Sequence, residues 1–161
     1  MKREISRWGV GPTIMVSAGA YAAIAGLATW FWPEVCVISA VPSSVLVVTG
    51  IVLLVIGIPM LVVAARAATL AYNSDKLATT GIFGIVRNPI YSAWIVFIIP
   101  GLVLLSRSWP LFLTPVVAYL VFKARIGREN DFLERHFGDD YRTYKARVNE
   151  LFPLPRFGNR P

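Results

Sequence analysis

The chain has 161 residues, of which 56% are hydrophobic and only 16% are charged, and its mean hydropathy is +0.61. A soluble domain of this size could not bury so much apolar surface, since typical proteins are nearer a quarter charged. The net charge of +7 does not indicate nucleic acid, because membrane leaflets facing the cytoplasm are anionic and attract basic faces. One cysteine and one histidine exclude an internal disulfide and a Cys/His zinc cluster, and we expect no metal site.

Four stretches are apolar enough to cross a bilayer, for which a helix needs about 20 residues. The first two run over about residues 10–31 and 44–72. The third and fourth, about residues 90–105 and 109–123, are joined by three residues and must form a tight hairpin. A cleaved signal peptide is the alternative interpretation of the first stretch, but its apolar run exceeds a usual signal core. The sequence therefore predicts an all-α integral membrane protein with about four transmembrane helices.

The basic residues predict the orientation, because lysines and arginines of short loops are retained on the cytoplasmic side. Fifteen of the 16 basic residues flank the first span, the connection between the second and third spans, or the end of the fourth span. They include Lys2, Arg3 and Arg7, and only Arg107 falls on the opposite side. We therefore expect both termini in the cytoplasm, which also requires an even number of spans.

The character of the chain changes after Lys123, where it becomes polar with a helical rhythm. Gly138 is expected to end a first short helix, and Asp139 to cap a second one that stops at Pro153. The apolar stripe of the second helix is Tyr141, Tyr144, Val148 and Leu151. We predict two short amphipathic helices against the inner membrane face. The domain prediction is a single membrane domain over residues 1–161, with a two-span part at 1–78 and a motif-bearing part at 79–153.

Two segments expected on the cytoplasmic side hold most of the polar groups able to do chemistry. The first is TTGIFGIVRNPIY, residues 79–91, in which glycines allow close backbone approach and Arg87 offers a planar donor fork. The second is RENDFLERHFGDDYRTY, residues 128–144. From these residues alone a purely structural interpretation stays open, in which Arg87 contacts lipid phosphates and Glu129 pairs with a neighbouring cation.

Together the two segments resemble the paired signature of the isoprenylcysteine carboxyl methyltransferase and phospholipid methyltransferase family. That signature is an Arg-His-Pro-x-Tyr element before a helical hairpin, then Glu-Glu-x-x-Leu, Phe-Gly and two spaced tyrosines. The resemblance covers roughly residues 79–153. The matching positions are Arg87, Pro89, Tyr91, Glu129, Leu133, Phe137, Gly138, Tyr141 and Tyr144. Two positions depart from it, because Asn88 and Asn130 replace the histidine and the second glutamate, and asparagine cannot titrate.

The resemblance implies that S-adenosylmethionine binds on the cytoplasmic side. It assigns cofactor binding to Gly81, Gly84, Arg87, Asn88, Pro89, Tyr91, Glu129, Tyr141 and Tyr144. Arg87 can hold the methionine carboxylate, Tyr91 can lie near the sulfonium or adenine, and Glu129 can bind the amino group or ribose. Glu129 and Arg135 are the catalytic candidates, Arg135 as a clamp for an anionic acceptor. The single histidine, His136, is expected to be a solvated side chain.

The implied reaction is methyl transfer to a lipophilic acceptor that enters from the bilayer, so membrane lipids are the expected partners. A prenylcysteine carboxylate, a lipid amine and a thiol all suit such a site. Alignment and exclusion of water supply much of the acceleration, because charge is neutralised when an anionic acceptor attacks a sulfonium. Two other functions stay open: an NADPH-dependent enzyme like the sterol reductases, and a non-catalytic membrane scaffold or ligand-binding protein.

Overall fold

The computed structural model describes residues 9–153, which are helical and form no β-sheet. Four helical stretches are long and apolar enough to cross a membrane: Gly11–Phe31, Ser43–Asn73, Pro89–Ser106 and Pro110–Phe137. The predicted all-α, multi-pass membrane fold is confirmed. The predictions for Lys2, Arg3 and Arg7, and for the basic residues beyond Pro153, concern positions outside the described residues.

Several of the spans consist of more than one helical segment. In chain order the elements are α1 Gly11–Phe31, α2 Pro33–Cys36, α3 Ser43–Asn73, α4 Ile82–Ile85, α5 Pro89–Ser92, a π-helical segment Ala93–Ile98, α6 Ile99–Ser106, a 3₁₀ turn Pro110–Leu113, α7 Thr114–Phe137 and α8 Asp139–Arg147. We call the end of the bundle where α1 and α5 begin and where α3 and α7 finish the motif end.

The third span changes from α to π geometry and back along its length. Pro100 has no N–H to donate to the carbonyl four residues earlier, so a regular α-helix cannot pass through it unchanged. The N–H of Ile99 instead bonds to the carbonyl of Trp94, five residues back. The predicted hairpin follows, because Arg107 turns the chain with a φ of +53° and the fourth span begins at Pro110.

Glycines let α3 pack directly on the third span. A Cβ added at Gly50 would lie 2.8 Å from the carbonyl oxygen of Gly101, and one added at Gly57 would lie 2.7 Å from Cβ of Phe97. Small residues permit this backbone approach, which is a usual way for membrane helices to associate. On the other side, α1 packs against α7 through a cluster that includes Ile14 and Phe122.

Two predictions about the C-terminal region are wrong. The helix expected after Lys123 is not separate, because α7 runs without interruption from the span to Phe137. Its buried residues, Ala118, Phe122, Ile126 and Asn130, follow each other at four-residue spacing, so one face stays packed along the whole helix. The polar stretch is therefore an extension of the span rather than a helix on the membrane face.

The last helix also differs from its predicted bounds. The residue that caps α8 is Gly138, with a φ of +56°, and Asp139 is the first helical residue rather than the cap. The helix ends at Arg147 instead of continuing to Pro153, because Val148 is extended and the following backbone pairs with another segment. The predicted stripe is nevertheless buried at all four positions.

Candidate cofactor site at the motif end

A short backbone pairing joins the first motif segment to the chain just after α8. Val86 and Asn149 form an isolated parallel bridge, in which the N–H of Arg87 donates to the carbonyl of Asn149 over 2.7 Å. The N–H of Asn88 donates to the carbonyl of Glu150 over 3.1 Å. Because Val86, Arg87 and Asn88 are buried beneath this contact, the entry to the third span and the chain after α8 form one unit.

Arg87 uses its guanidinium mainly to hold the C-terminal segment. Nη1 donates to the carbonyl of Lys145 and Nη2 to Oε1 of Glu150, both over 3.2 Å. Nε is buried and has no hydrogen-bond partner within residues 9–153. Glu150 also pairs with Lys123, so two cations share one carboxylate and a positive charge is left over.

The neighbouring predicted residues shape the same junction. Asn88, one of the two departures from the signature that the sequence resembles, donates from Nδ2 to the carbonyl of Glu150 over 3.0 Å. Pro89 is buried and supplies the first residue of α5, where its missing N–H costs nothing. Asn88 thus retains the hydrogen-bond donor of the residue that it replaces.

Tyr91 and Glu129 form a second polar pair between the third span and α7. The Tyr91 hydroxyl donates to Oε2 of Glu129 over 3.0 Å and accepts a hydrogen bond of the same length from the N–H of Val10. The Tyr91 ring packs on Phe122 at 5.4 Å. No lysine or arginine within the described part of the chain pairs with Glu129.

The two tyrosines of α8 hold this helix against the rest of the motif end. Tyr141 donates to Oδ1 of Asn130 over 2.6 Å, and Tyr144 donates to the carbonyl of Phe83 over 2.7 Å. Burial raises the pKa of Tyr141 to about 12 and also raises the pKa of Tyr144 above its ordinary value. Both hydroxyls therefore stay protonated at neutral pH and act as hydrogen-bond donors.

The charges of both polar pairs act on the Tyr141 hydroxyl. After burial, Arg87 lowers its pKa, and Glu129 and Glu150 raise it. Arg87 and Glu129 both lie at the motif end, where Arg87 bonds to the Lys145 carbonyl on α8 and Glu129 accepts from Tyr91 of α5. Within residues 9–153 the motif end thus holds two cations on the Glu150 carboxylate and, at Glu129, a carboxylate with no lysine or arginine partner, which suits a ligand with both charges. The described residues contain no group of three metal-binding side chains.

Other predicted residues lie at the periphery. Gly81, with a φ of +60°, is the N-cap of α4 and Gly84 lies within that helix, and both are exposed. Arg135 is exposed and stands nine residues after buried Ile126, about 180° around α7 from the packed face. His136 is bonded to Asp75 over 3.2 Å. The structure thus brings Arg87, Asn88, Pro89, Tyr91, Glu129, Tyr141 and Tyr144 together, but not Arg135.

Sequence reasoning missed three contributors to this site. Glu150 and Lys123 complete the charge network around Arg87, and the turn at Gly9 and Val10 contacts the Tyr91–Glu129 pair. A single glutamate after a predicted helix has no local pattern that distinguishes it from a surface residue. Gly9 has a φ of +53°. In the sequence, the turn that it forms is marked only by a glycine before an apolar run.

Comparison with known proteins relates this geometry to a family. Over 79 residues the chain is 33% identical to protein-S-isoprenylcysteine O-methyltransferase B of Arabidopsis thaliana, covering 49% of this chain and 40% of that protein. It is 32% identical to protein-S-isoprenylcysteine O-methyltransferase of Schizosaccharomyces pombe over 78 residues, covering 48% and 33%. The matched region thus spans less than half the length of these relatives. No solved structure matches significantly.

The family described as phospholipid methyltransferase matches residues 38–140, which is more than half of the chain. This range contains both motif segments up to the start of α8, and therefore Arg87, Tyr91, Glu129 and Asn130. The chain belongs to the phospholipid methyltransferase family.

Proposed function

We propose that the protein transfers a methyl group from S-adenosylmethionine to a lipophilic acceptor at the membrane surface. The family is one of methyltransferases, and the relatives are named for methylation of an isoprenylated cysteine. The observation that carries the proposal is that the motif end holds both a surplus cation around Arg87 and, among the described residues, a carboxylate at Glu129 without a lysine or arginine partner. The amino-acid end of S-adenosylmethionine has the opposite charges, so the residues present fit this cofactor.

Each half of the site has a defined part to perform. The buried Nε of Arg87 is a donor in need of an acceptor, which a carboxylate would supply. Glu129 would bind the ammonium group, and the Tyr91 ring would lie near a cationic centre. When bound, the cofactor supplies a methyl group on a positively charged sulfur. The protein's contribution is to align that group with the acceptor and to exclude water.

The remaining predicted residues support the pair less directly. Asn88 and Pro89 fix the junction that holds Arg87, and Tyr141 and Tyr144 fix α8 over it. Gly81 and Gly84 keep the preceding turn small, which leaves room for a ligand to approach. Arg135 lies on the exposed face of α7, where it would attract an anionic acceptor or lipid headgroup rather than contact the cofactor.

The proposed acceptor reaches the site from the bilayer. A prenylcysteine carboxylate, a thiol or a lipid amine would each place its apolar part between spans and its reactive atom at the motif end. Four spans would bring the start of α1 and the end of α7 to one end of the bundle, and the basic residues near that end favour a cytoplasmic location for it. Both termini are therefore proposed to be cytoplasmic, with membrane lipids as partners and no role for nucleic acid.

The test is incubation of the purified protein with methyl-labelled S-adenosylmethionine and a membrane lipid extract, followed by identification of the labelled product. Glu129→Gln should abolish labelling, because it keeps the side chain's shape but removes its charge. Glu134→Gln is the matched control five residues further along α7, where the side chain pairs with Arg142 and Lys145. Calorimetry with S-adenosylmethionine, its demethylated product and NADPH separates the alternatives. Binding of NADPH alone, or of neither nucleotide, would reject the proposal.

A further inference from the structure

The turn of residues 9–11, just before and at the start of α1, contacts the proposed site. It lies outside both motif segments and outside residues 38–140, which match the family. The N–H of Val10 donates to the Tyr91 hydroxyl over 3.0 Å, between residues 81 positions apart. The first span therefore reaches the residues that carry the site, although the sequence indicated only that it is hydrophobic.

A side chain at Gly9 would be strained by the backbone and would displace the polar pair of the site. The Gly9 φ of +53° lies in the left-handed region, which side chains rarely adopt. A Cβ there would also lie 2.5 Å from the Tyr91 hydroxyl oxygen and 2.7 Å from Oε2 of Glu129, closer than real Cβ contacts come. The two atoms that exclude a side chain are the same two that form the hydrogen bond of the site.

The turn also fixes the direction of the hydrogen bonds. Because the Val10 N–H occupies the Tyr91 oxygen as a donor, the single hydroxyl proton of Tyr91 is left to donate to Glu129. Tyr91 thereby occupies Oε2 of Glu129. The other oxygen, Oε1, accepts no hydrogen bond from another side chain within residues 9–153. The chain of contacts from Val10 through Tyr91 thus fixes the orientation of the Glu129 carboxylate.

We propose that the turn of residues 9–11 is a third component of the cofactor site, which positions Glu129 for the cationic end of its ligand. This inference rests on the proposed function. Gly9 and Val10 act through Tyr91 and Glu129 and are positioning residues. Holding a binding group in one orientation before the ligand arrives raises affinity, because less ordering is needed on binding.

The first test is the dissociation constant of S-adenosylmethionine for Gly9→Ala, measured by calorimetry on the full chain in detergent. It should rise roughly tenfold, which is within the range of couplings that contacting residues show. KM for the cofactor should rise more than kcat falls, since the turn acts on Tyr91 and Glu129, which are proposed to bind the cofactor. Gly19→Ala and Gly26→Ala are the controls on α1, where an added Cβ meets nothing within 4 Å, and both should bind as the wild type does.

A double-mutant cycle separates positioning from a general structural effect. In a Tyr91→Phe background the closest colliding atom is gone, so Gly9→Ala should weaken binding by a smaller factor than in the wild type. Equal factors in both backgrounds would overturn the inference. If Gly9→Ala bound S-adenosylmethionine with wild-type affinity, the inference would also be overturned, but the proposed function would stay intact. Failure of the wild type to bind S-adenosylmethionine would instead reject the proposed function, and this inference with it.

Val10→Pro provides a test if Gly9→Ala does not fold. Proline removes the N–H that donates to Tyr91, and the φ of Val10, −86°, is close to what proline adopts. Binding should weaken several-fold, about as expected for losing one hydrogen bond that orients a binding group. Val10→Ala keeps the N–H and should therefore bind S-adenosylmethionine more tightly than Val10→Pro does. Equal affinities for the two variants would contradict the positioning role.

Discussion

Arg87 and Glu150 stand 63 positions apart in the sequence, yet Nη2 of Arg87 donates to Oε1 of Glu150 over 3.2 Å. Glu150 also pairs with Lys123 on α7. One carboxylate therefore ties the entry of the third span, the fourth span and the chain after α8. The backbone pairing between Val86 and Asn149 lies beside this network, so the junction combines main-chain and charged contacts.

Removing this carboxylate should loosen the motif end. In Glu150→Ala the Arg87 side chain, only 6% exposed, would lose its counter-charge, which costs about 3 kcal/mol when one partner of a buried pair is removed. Thermal unfolding of the purified protein should show a clearly lower Tm. Glu134→Ala serves as the control, because its ion pairs are exposed and should matter little. Equal Tm values for the two variants would show that the network does not stabilise the fold.

Asn88 should tolerate the family's histidine better than an apolar residue. Its Nδ2 donates to the carbonyl of Glu150, and a histidine ring N–H can supply the same donor. Asn88→His should therefore keep Tm and cofactor affinity close to wild type. Asn88→Leu should lose about 1 kcal/mol of stability with the hydrogen bond. If both variants lose equally, the donor is not what this position requires.

The apolar spacing and the motif signature predicted most of the bundle and the meeting of the two motif segments. Spans one and two were correct to within two residues, because long apolar runs between polar loops leave few alternatives. The polar part of α7 was predicted as a separate helix because hydropathy falls after Lys123. Hydropathy does not end a helix, however, and no helix-breaking residue stands between Lys123 and Gly138 except Gly127, which α7 tolerates.

The parts that sequence reasoning missed depend on contacts between distant residues. The end of α8 at Arg147 follows from pairing with Val86, more than 60 positions earlier, and no local residue marks it. The partners of Glu150 and the contact of Gly9 with Tyr91 have the same origin. A signature of single residues indicates which side chains belong to a site but not which other segments complete it.

The close approach of α3 and the third span should be sensitive to a single methyl group. In Gly50→Ala the new Cβ would lie 2.8 Å from the Gly101 carbonyl oxygen, a backbone atom that cannot rotate away. Forcing these helices apart should cost about 1–3 kcal/mol, as overpacking does elsewhere. Thermal unfolding measures the effect, with Gly26→Ala as the control in open space. A Tm of Gly50→Ala at or above that of the control would contradict this packing.

Tyr141 should make the protein sensitive to alkaline pH. Burial raises its pKa from the ordinary 10.0 to about 12, so the fold favours the neutral phenol more than the unfolded chain does. The stabilising contribution is complete below about pH 10 and is lost as pH rises from 10 to 12, by roughly 2 to 3 kcal/mol in total. Tyr141→Phe removes this dependence, but it also removes the hydrogen bond to Asn130, which costs about 1 kcal/mol at every pH.

The variant should therefore be less stable than wild type near pH 8, and the difference should shrink or reverse as pH approaches 12. Thermal unfolding of both proteins across this range measures the comparison directly. Burial raises the pKa of Tyr144 as well, but Tyr144 is present in both proteins, so its contribution to the stability difference between them cancels to first order. A stability difference that stays constant from about pH 8 to 12 would mean that the Tyr141 hydroxyl is open to solvent. In that case α8 would not be packed over Asn130, and the conclusion that this helix covers the motif end would be wrong.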